Sequence, residues 1–97
     1  MNTKIVKNVN SQRRLCLTKD FCEYVGIREN SRIVIAKGNN DNELHIISLD
    51  KVSDFQEVIA FCKVDSKFRI IVPAEICEND EKFELLVTTE FIIMRQI

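Results

Sequence analysis

An internal repeat constrains this chain more than any other feature. Residues 9–23 (VNSQRRLCLTKDFCE) align without a gap against residues 64–78 (VDSKFRIIVPAEICE), at a constant offset of 55. Five positions are identical: Val9/Val64, Ser11/Ser66, Arg14/Arg69, Cys22/Cys77 and Glu23/Glu78. Leu15/Ile70, Cys16/Ile71, Leu17/Val72, Asp20/Glu75 and Phe21/Ile76 keep their character, and Asn10 faces Asp65. Further on, Arg32-Ile33-Val34-Ile35 matches Lys82-Phe83-Glu84-Leu85 after a five-residue deletion in the second copy. A repeat of this period implies two copies of one supersecondary unit, and neither copy is large enough to bury a core alone. With 97 residues in all, the copies form one domain, spanning residues 4–49 and 59–97.

Each copy reads the same way. A first strand (Lys4–Val9; Ile59–Val64) leads through a polar turn to a second (Arg14–Leu17; Arg69–Val72), both being apolar runs bounded by turn residues. A short helix follows. In the first copy Thr18 caps it, Phe21 and Val25 share one face, and Gly26 stops it. In the second copy Pro73 opens it, at a position that needs no N–H donor. A hairpin ends each unit, Arg32–Ala36 with Glu43–Ile47, then Lys82–Val87 with Phe91–Arg95. Between the copies, Val52, Phe55 and Ile59 fall at helical spacing and predict a connecting helix over 50–58. The fold class expected is mainly β with short helices.

Composition excludes several functions. No apolar run approaches the ~20 residues that a membrane span requires, and the first residues carry no apolar signal segment, so a cytoplasmic location is expected. Cys16, Cys22, Cys62 and Cys77 form no CxxC pair and lie far in sequence from the lone His45; they read as reduced, partly buried small hydrophobes, with no metal and no cofactor expected. The two glycines, Gly26 and Gly38, make no phosphate loop, and no nucleophile–base constellation emerges; the chain is not expected to be an enzyme. Charge is divided. Residues 1–38 carry a net charge of +5 and residues 39–97 a net charge of −6. Such asymmetry marks an anion-binding end, or two parts that attract each other within a chain or between subunits. Any basic face is expected from the N-terminal part only.

Asp65-Ser66-Lys67-Phe68-Arg69 fits an Asp-x-x-x-Arg motif, and Asn10-Ser11-Gln12-Arg13-Arg14 fits it with Asn for Asp. These motifs, each followed by an apolar strand, a helix start and a strand pair, resemble the AbrB/SpoVT superfamily of swapped-hairpin domains. The tandem arrangement looks most like the MraZ branch. The resemblance covers nearly the whole chain. It implies a swapped-hairpin β-barrel formed by two tandem units, self-association into a homo-oligomer, and a transcriptional regulator that binds DNA through basic residues near the first hairpin turn. The glycine usual in that family before the motif arginine is Arg13 in one copy and Phe68 in the other.

Lys4, Lys7, Arg13, Arg14 and Lys19 fall within sixteen residues with no acid before Asp20, the best basic patch in the chain. Arg13 and Arg14 are expected to project from the turn and carry DNA binding, with Lys7 and Lys19 assisting. A guanidinium offers a fork of donors suited to phosphate or base edges. Arg69 has Asp65 four residues before it and reads as structural, fastening its turn by a charge-assisted pair, whereas Arg14 has only neutral Asn10. The competing reading is a protein–protein module, an antitoxin-like or assembly-forming relative without DNA contact, consistent with the acidic second unit.

Overall fold

The computed structural model describes residues 4–77 and 81–97. Eight strands and one α-helix follow in the order β1 (Lys4–Asn8), β2 (Arg14–Cys16), α1 (Lys19–Val25), β3 (Arg32–Lys37), β4 (Glu43–Ser48), β5 (Val58–Lys63), β6 (Arg69–Ile71), β7 (Lys82–Val87) and β8 (Ile92–Gln96). The protein is mainly β, as expected. No helix among the described residues is long and apolar enough to cross a membrane.

Helix α1 is fixed at both ends by the residues singled out from sequence. Thr18 Oγ1 accepts from the Phe21 amide. At the other end Gly26 is left-handed (φ 80°), its amide donates to Glu23 O, and the Ile27 amide donates to Cys22 O at 2.8 Å. That pair of bonds is a Schellman motif. Lys51 Nζ donates to Val25 O at 2.9 Å, so the crossover between the copies also caps this helix.

Two expected helices are each reduced to a single turn among the described residues. The Pro73 segment makes a single turn, closed by Ile76 N to Pro73 O at 3.0 Å; residues 78–80, where it was expected to end, lie outside the described residues. The connecting helix over 50–58 is reduced to one 3-10 turn, Leu49–Lys51. Ser53 and Gln56 then close a tight turn in which the Ser53 amide donates to Gln56 Oε1 at 2.8 Å, and Val58 and Ile59 are taken into β5. The apolar spacing that suggested a helix splits accordingly. Val52 packs against Val34, Ala36 and Ile47 on the outer face of the sheet, while Phe55 is 99% exposed.

The strands form a six-stranded antiparallel sheet, β1-β7-β8-β4-β3-β5, and a two-stranded ribbon, β2-β6. Exchanging the two copies in the sheet order returns the same order reversed, so the pairing has a pseudo-twofold. The first strand of each copy pairs with the hairpin of the other: β1 with β7, β5 with β3. In the ribbon, Arg14, Leu15 and Cys16 oppose Ile71, Ile70 and Arg69. The axis therefore passes between Leu15 and Ile70. The five-residue deletion holds at the atomic level, because Val9 N donates to Glu81 O and Val64 N to Ser31 O, both at 2.9 Å.

Alternation decides what the core receives. Leu15, Leu17, Ile70 and Val72 come from the ribbon, Ile33, Ile35, Ile46, Phe83, Leu85, Ile92 and Met94 from the sheet, and Phe21, Cys22 and Val25 from α1, all in one buried cluster. Leu15 is fully buried at the pseudo-twofold. Replacing Leu15 by Ala should therefore cost about 2–5 kcal/mol in urea denaturation, the range for large-to-small core changes. Phe55→Ala should stay within about 0.5 kcal/mol, as exposed positions do. Equal losses for the two variants would contradict this division of the core.

Candidate nucleic-acid interface

The two turns that carry the repeat motif are built alike. Asn10 Oδ1 accepts from the amides of Gln12 (2.9 Å) and Arg14 (2.8 Å). Asp65 Oδ1 accepts from the amides of Lys67 (2.8 Å) and Arg69 (2.9 Å). Each turn is closed by backbone bonds at matching places: Arg13 N to Asn10 O and Asn10 N to Arg14 O in one, Phe68 N to Asp65 O and Asp65 N to Arg69 O in the other. The residue before each motif arginine is left-handed, Arg13 at φ 63° and Phe68 at φ 59°. This is a conformation that glycine adopts without penalty and L side chains adopt at a cost.

The carbonyls of those two residues tie the turns together: Val72 N donates to Arg13 O (2.7 Å) and Leu17 N to Phe68 O (2.8 Å). Because Leu15 and Ile70 point into the core, Arg14, Cys16, Arg69 and Ile71 project from the other side of the ribbon. The ribbon thus joins basic segments from both copies. Residues 7–19 and 63–71 contain seven Lys/Arg and one Asp/Glu, net +6, against −7 for the rest of the chain. Lys63 and Lys67, missed in the sequence reading, are both exposed. Their place follows once the repeat is used to lay β2 against β6.

The predicted contact residues are placed as follows. Arg13 does not project from its turn. Its Nε donates to Val72 O at 3.0 Å, and its Nη2 donates to Pro73 O at 3.2 Å and to Cys77 O. It clasps the segment that follows β6 in the second copy. Arg14 stands on the outer side of the ribbon, and its guanidinium makes no hydrogen bond or ion pair among the described residues. Lys7 lies half-buried on β1 without an ion pair among them. Lys19 pairs with Glu23 at 3.7 Å with both side chains well exposed, an interaction of little strength. Arg69 is held by Asp65, Nε to Oδ2 at 2.8 Å, as expected of a structural pair. The Arg69 backbone amide, the Lys67 amide and the Arg69 side chain together keep the Asp65 carboxyl below its ordinary range.

A second polar cluster crosses the outer face of the sheet. Lys4 pairs with Glu84 (3.6 Å), Arg95 with Glu84 (3.3 Å) and with Glu43 (3.4 Å), and Glu43 with His45 (3.1 Å). An ionised carboxylate only accepts, so His45 Nε2 is the donor. The His45 ring stacks on Phe91 with centroids 4.1 Å apart. His45 is thus committed to buried Glu43 and is not paired with a thiol. Burial pushes the Cys22 thiol up to about 12 and also raises Cys62 and Cys77, which disfavours their thiolates as nucleophiles or metal ligands.

No protein-family model matches the chain, and no curated protein does.

The hydrogen bond from His45 lowers the Glu43 pKa below its ordinary 4.5, with Asn40 and Arg95 adding to it against burial. A carboxyl whose folded pKa is depressed contributes stability above its unfolded pKa and loses it as pH falls through the folded value. Glu43→Gln should therefore be less stable than the parent at pH 7. It should also lose less stability than the parent as pH is lowered from about 4.5, where an unfolded glutamate titrates. Thermal midpoints across pH 3–7 test this, and parallel curves would refute it.

Proposed function

We propose that the chain is a DNA-binding transcriptional regulator of the AbrB type, its two tandem units closed as a swapped-hairpin barrel, with the β2–β6 ribbon as the DNA-contacting surface. One observation carries the reading. Pairing the two motif strands brings residues 7–19 and 63–71, together of net charge +6, beside one another in a chain whose overall charge is −1. Neutralising phosphates is the sequence-independent part of duplex binding, and a concentrated basic surface is its footprint. Arg14 is the leading contact because nothing within the described residues engages its guanidinium. Lys7, Lys63 and Lys67 supply flanking charge, and Arg13 holds the turn in place. Support for the swapped-hairpin topology is that β1 and β5 each pair with the other copy's hairpin.

A second reading, a protein–protein interaction module without DNA contact, is favoured by one observation. Phe55, Phe61 and Ile71 are 99%, 74% and 59% exposed, and β5, which carries Phe61, is an edge strand. Exposed apolar side chains on a sheet edge are an association surface. The basic ribbon and the acidic remainder also provide opposite charges for head-to-tail assembly.

The deciding experiment is retention of random-sequence duplex at about 50 mM salt, where electrostatic binding is strong. Binding is expected, with steep salt dependence. Arg14→Ala should weaken it, whereas Arg13→Ala should lower stability by about 1.5–3 kcal/mol, the range for hydrogen bonds from a charged donor. A parent protein with no duplex affinity at that salt would replace the regulator reading with the protein-partner one.

A further inference from the structure

The two motif turns differ at one chemically decisive atom. Oδ1 does the same work in both, accepting two backbone amides. The remaining atom in Asp65 is a carboxylate oxygen, Oδ2, which binds Arg69 Nε at 2.8 Å. In Asn10 the corresponding atom is Nδ2, a donor, and an amide N–H₂ cannot accept from a guanidinium. Arg14 therefore cannot be tied as Arg69 is, although both occupy equivalent places on the ribbon's outer side. We infer that Asn10 and Asp65 are specificity-determining residues: they leave Arg14 available to duplex DNA and withhold Arg69. A pseudo-symmetric surface is thereby made one-sided, so that a single chain engages one half-site through Arg14 and not Arg69, and reads the duplex in one orientation.

This inference rests on the DNA-binding reading, and the variants below separate the two. Asn10→Asp retains the Oδ1 acceptor and adds the oxygen that Arg14 lacks. Asp65→Asn retains Oδ1 and removes the oxygen that holds Arg69. Both preserve side-chain shape, and thermal midpoints check folding. Binding of a fluorescent random duplex is followed by anisotropy between 50 and 200 mM salt. Each neutralised phosphate contributes about 0.9 to the slope of log affinity against log salt. Asn10→Asp should lower the slope by about 0.9, which shrinks the fall in affinity over that fourfold salt range by about 3.5-fold. Asp65→Asn should raise the slope by about the same amount, and the double variant should return it to the parent value. Asn39→Asp, an exposed position in the β3–β4 loop, controls for net charge and should leave the slope unchanged.

A parent that binds, with Asn10→Asp binding at the same affinity and slope, would overturn the inference while sparing the DNA reading. So would a slope lowered equally by Asn39→Asp. If neither the parent nor Asp65→Asn binds at 50 mM salt, the DNA reading itself falls.

Discussion

The β2–β6 pairing is the contact on which the remaining architecture depends. Each strand is only three residues long, far too short to persist alone. They persist together because Leu15 and Ile70, opposite one another at the pseudo-twofold, are anchored in the core. Amides just beyond each strand then lock the ends, Leu17 to Phe68 and Val72 to Arg13. Laying equivalent strands antiparallel fixes the direction in which each copy's neighbours run. Each first strand then meets the other copy's hairpin, and neither copy's sheet is complete without its partner.

The turns that enter this ribbon are held at a cost. Arg13 and Phe68 both sit in the left-handed region, which disfavours L side chains by about 1–2 kcal/mol. In each case the side chain offsets the strain. Phe68 packs against the core. Arg13 satisfies three carbonyls of the segment after β6, at Val72, Pro73 and Cys77. Glycine would relax the backbone but lose these contacts. Arg13 and Arg14, adjacent in sequence, thus have different surroundings: Arg13 is held by these carbonyls, while Arg14 stands on the outer side of the ribbon.

Much of this was legible in the sequence, for identifiable reasons. The offset between Val9–Glu23 and Val64–Glu78 located both motif turns, and alternation in Phe83 and Leu85 located β7. Thr18 and Gly26 bound α1 because capping chemistry is local. The connecting helix was misjudged because Val52, Phe55 and Ile59 match a helical period, while the outcome was set by tertiary competition: β3 recruits Val58 onward into β5. Arg13 was misjudged because carbonyls 59 to 64 residues away hold it, and no local pattern records that. Lys63 and Lys67 come beside the first copy's basic segment only through the β2–β6 pairing, a tertiary contact that no local pattern records.

The division of charge along the chain takes on a different meaning in the fold. Lys4–Glu84 and Arg95–Glu43 each join the two copies across the outer face of the sheet. Of these, Lys4–Glu84 sets a base of residues 1–38 against an acid of residues 39–97. In the paired basic segments Asp65 is the single acid, and its ion pair is with Arg69. A dimer of identical units has to present identical turns about its axis. Joining the units in one chain removes that constraint. The core positions can remain interchangeable, Leu15 for Ile70 and Leu17 for Val72, because burial requires only apolar volume. The surface positions are free to diverge, Asn10 from Asp65 and Arg13 from Phe68. The repeat thus keeps its symmetry where packing requires it and departs from it at the turns, where side-chain chemistry decides what the ribbon can hold.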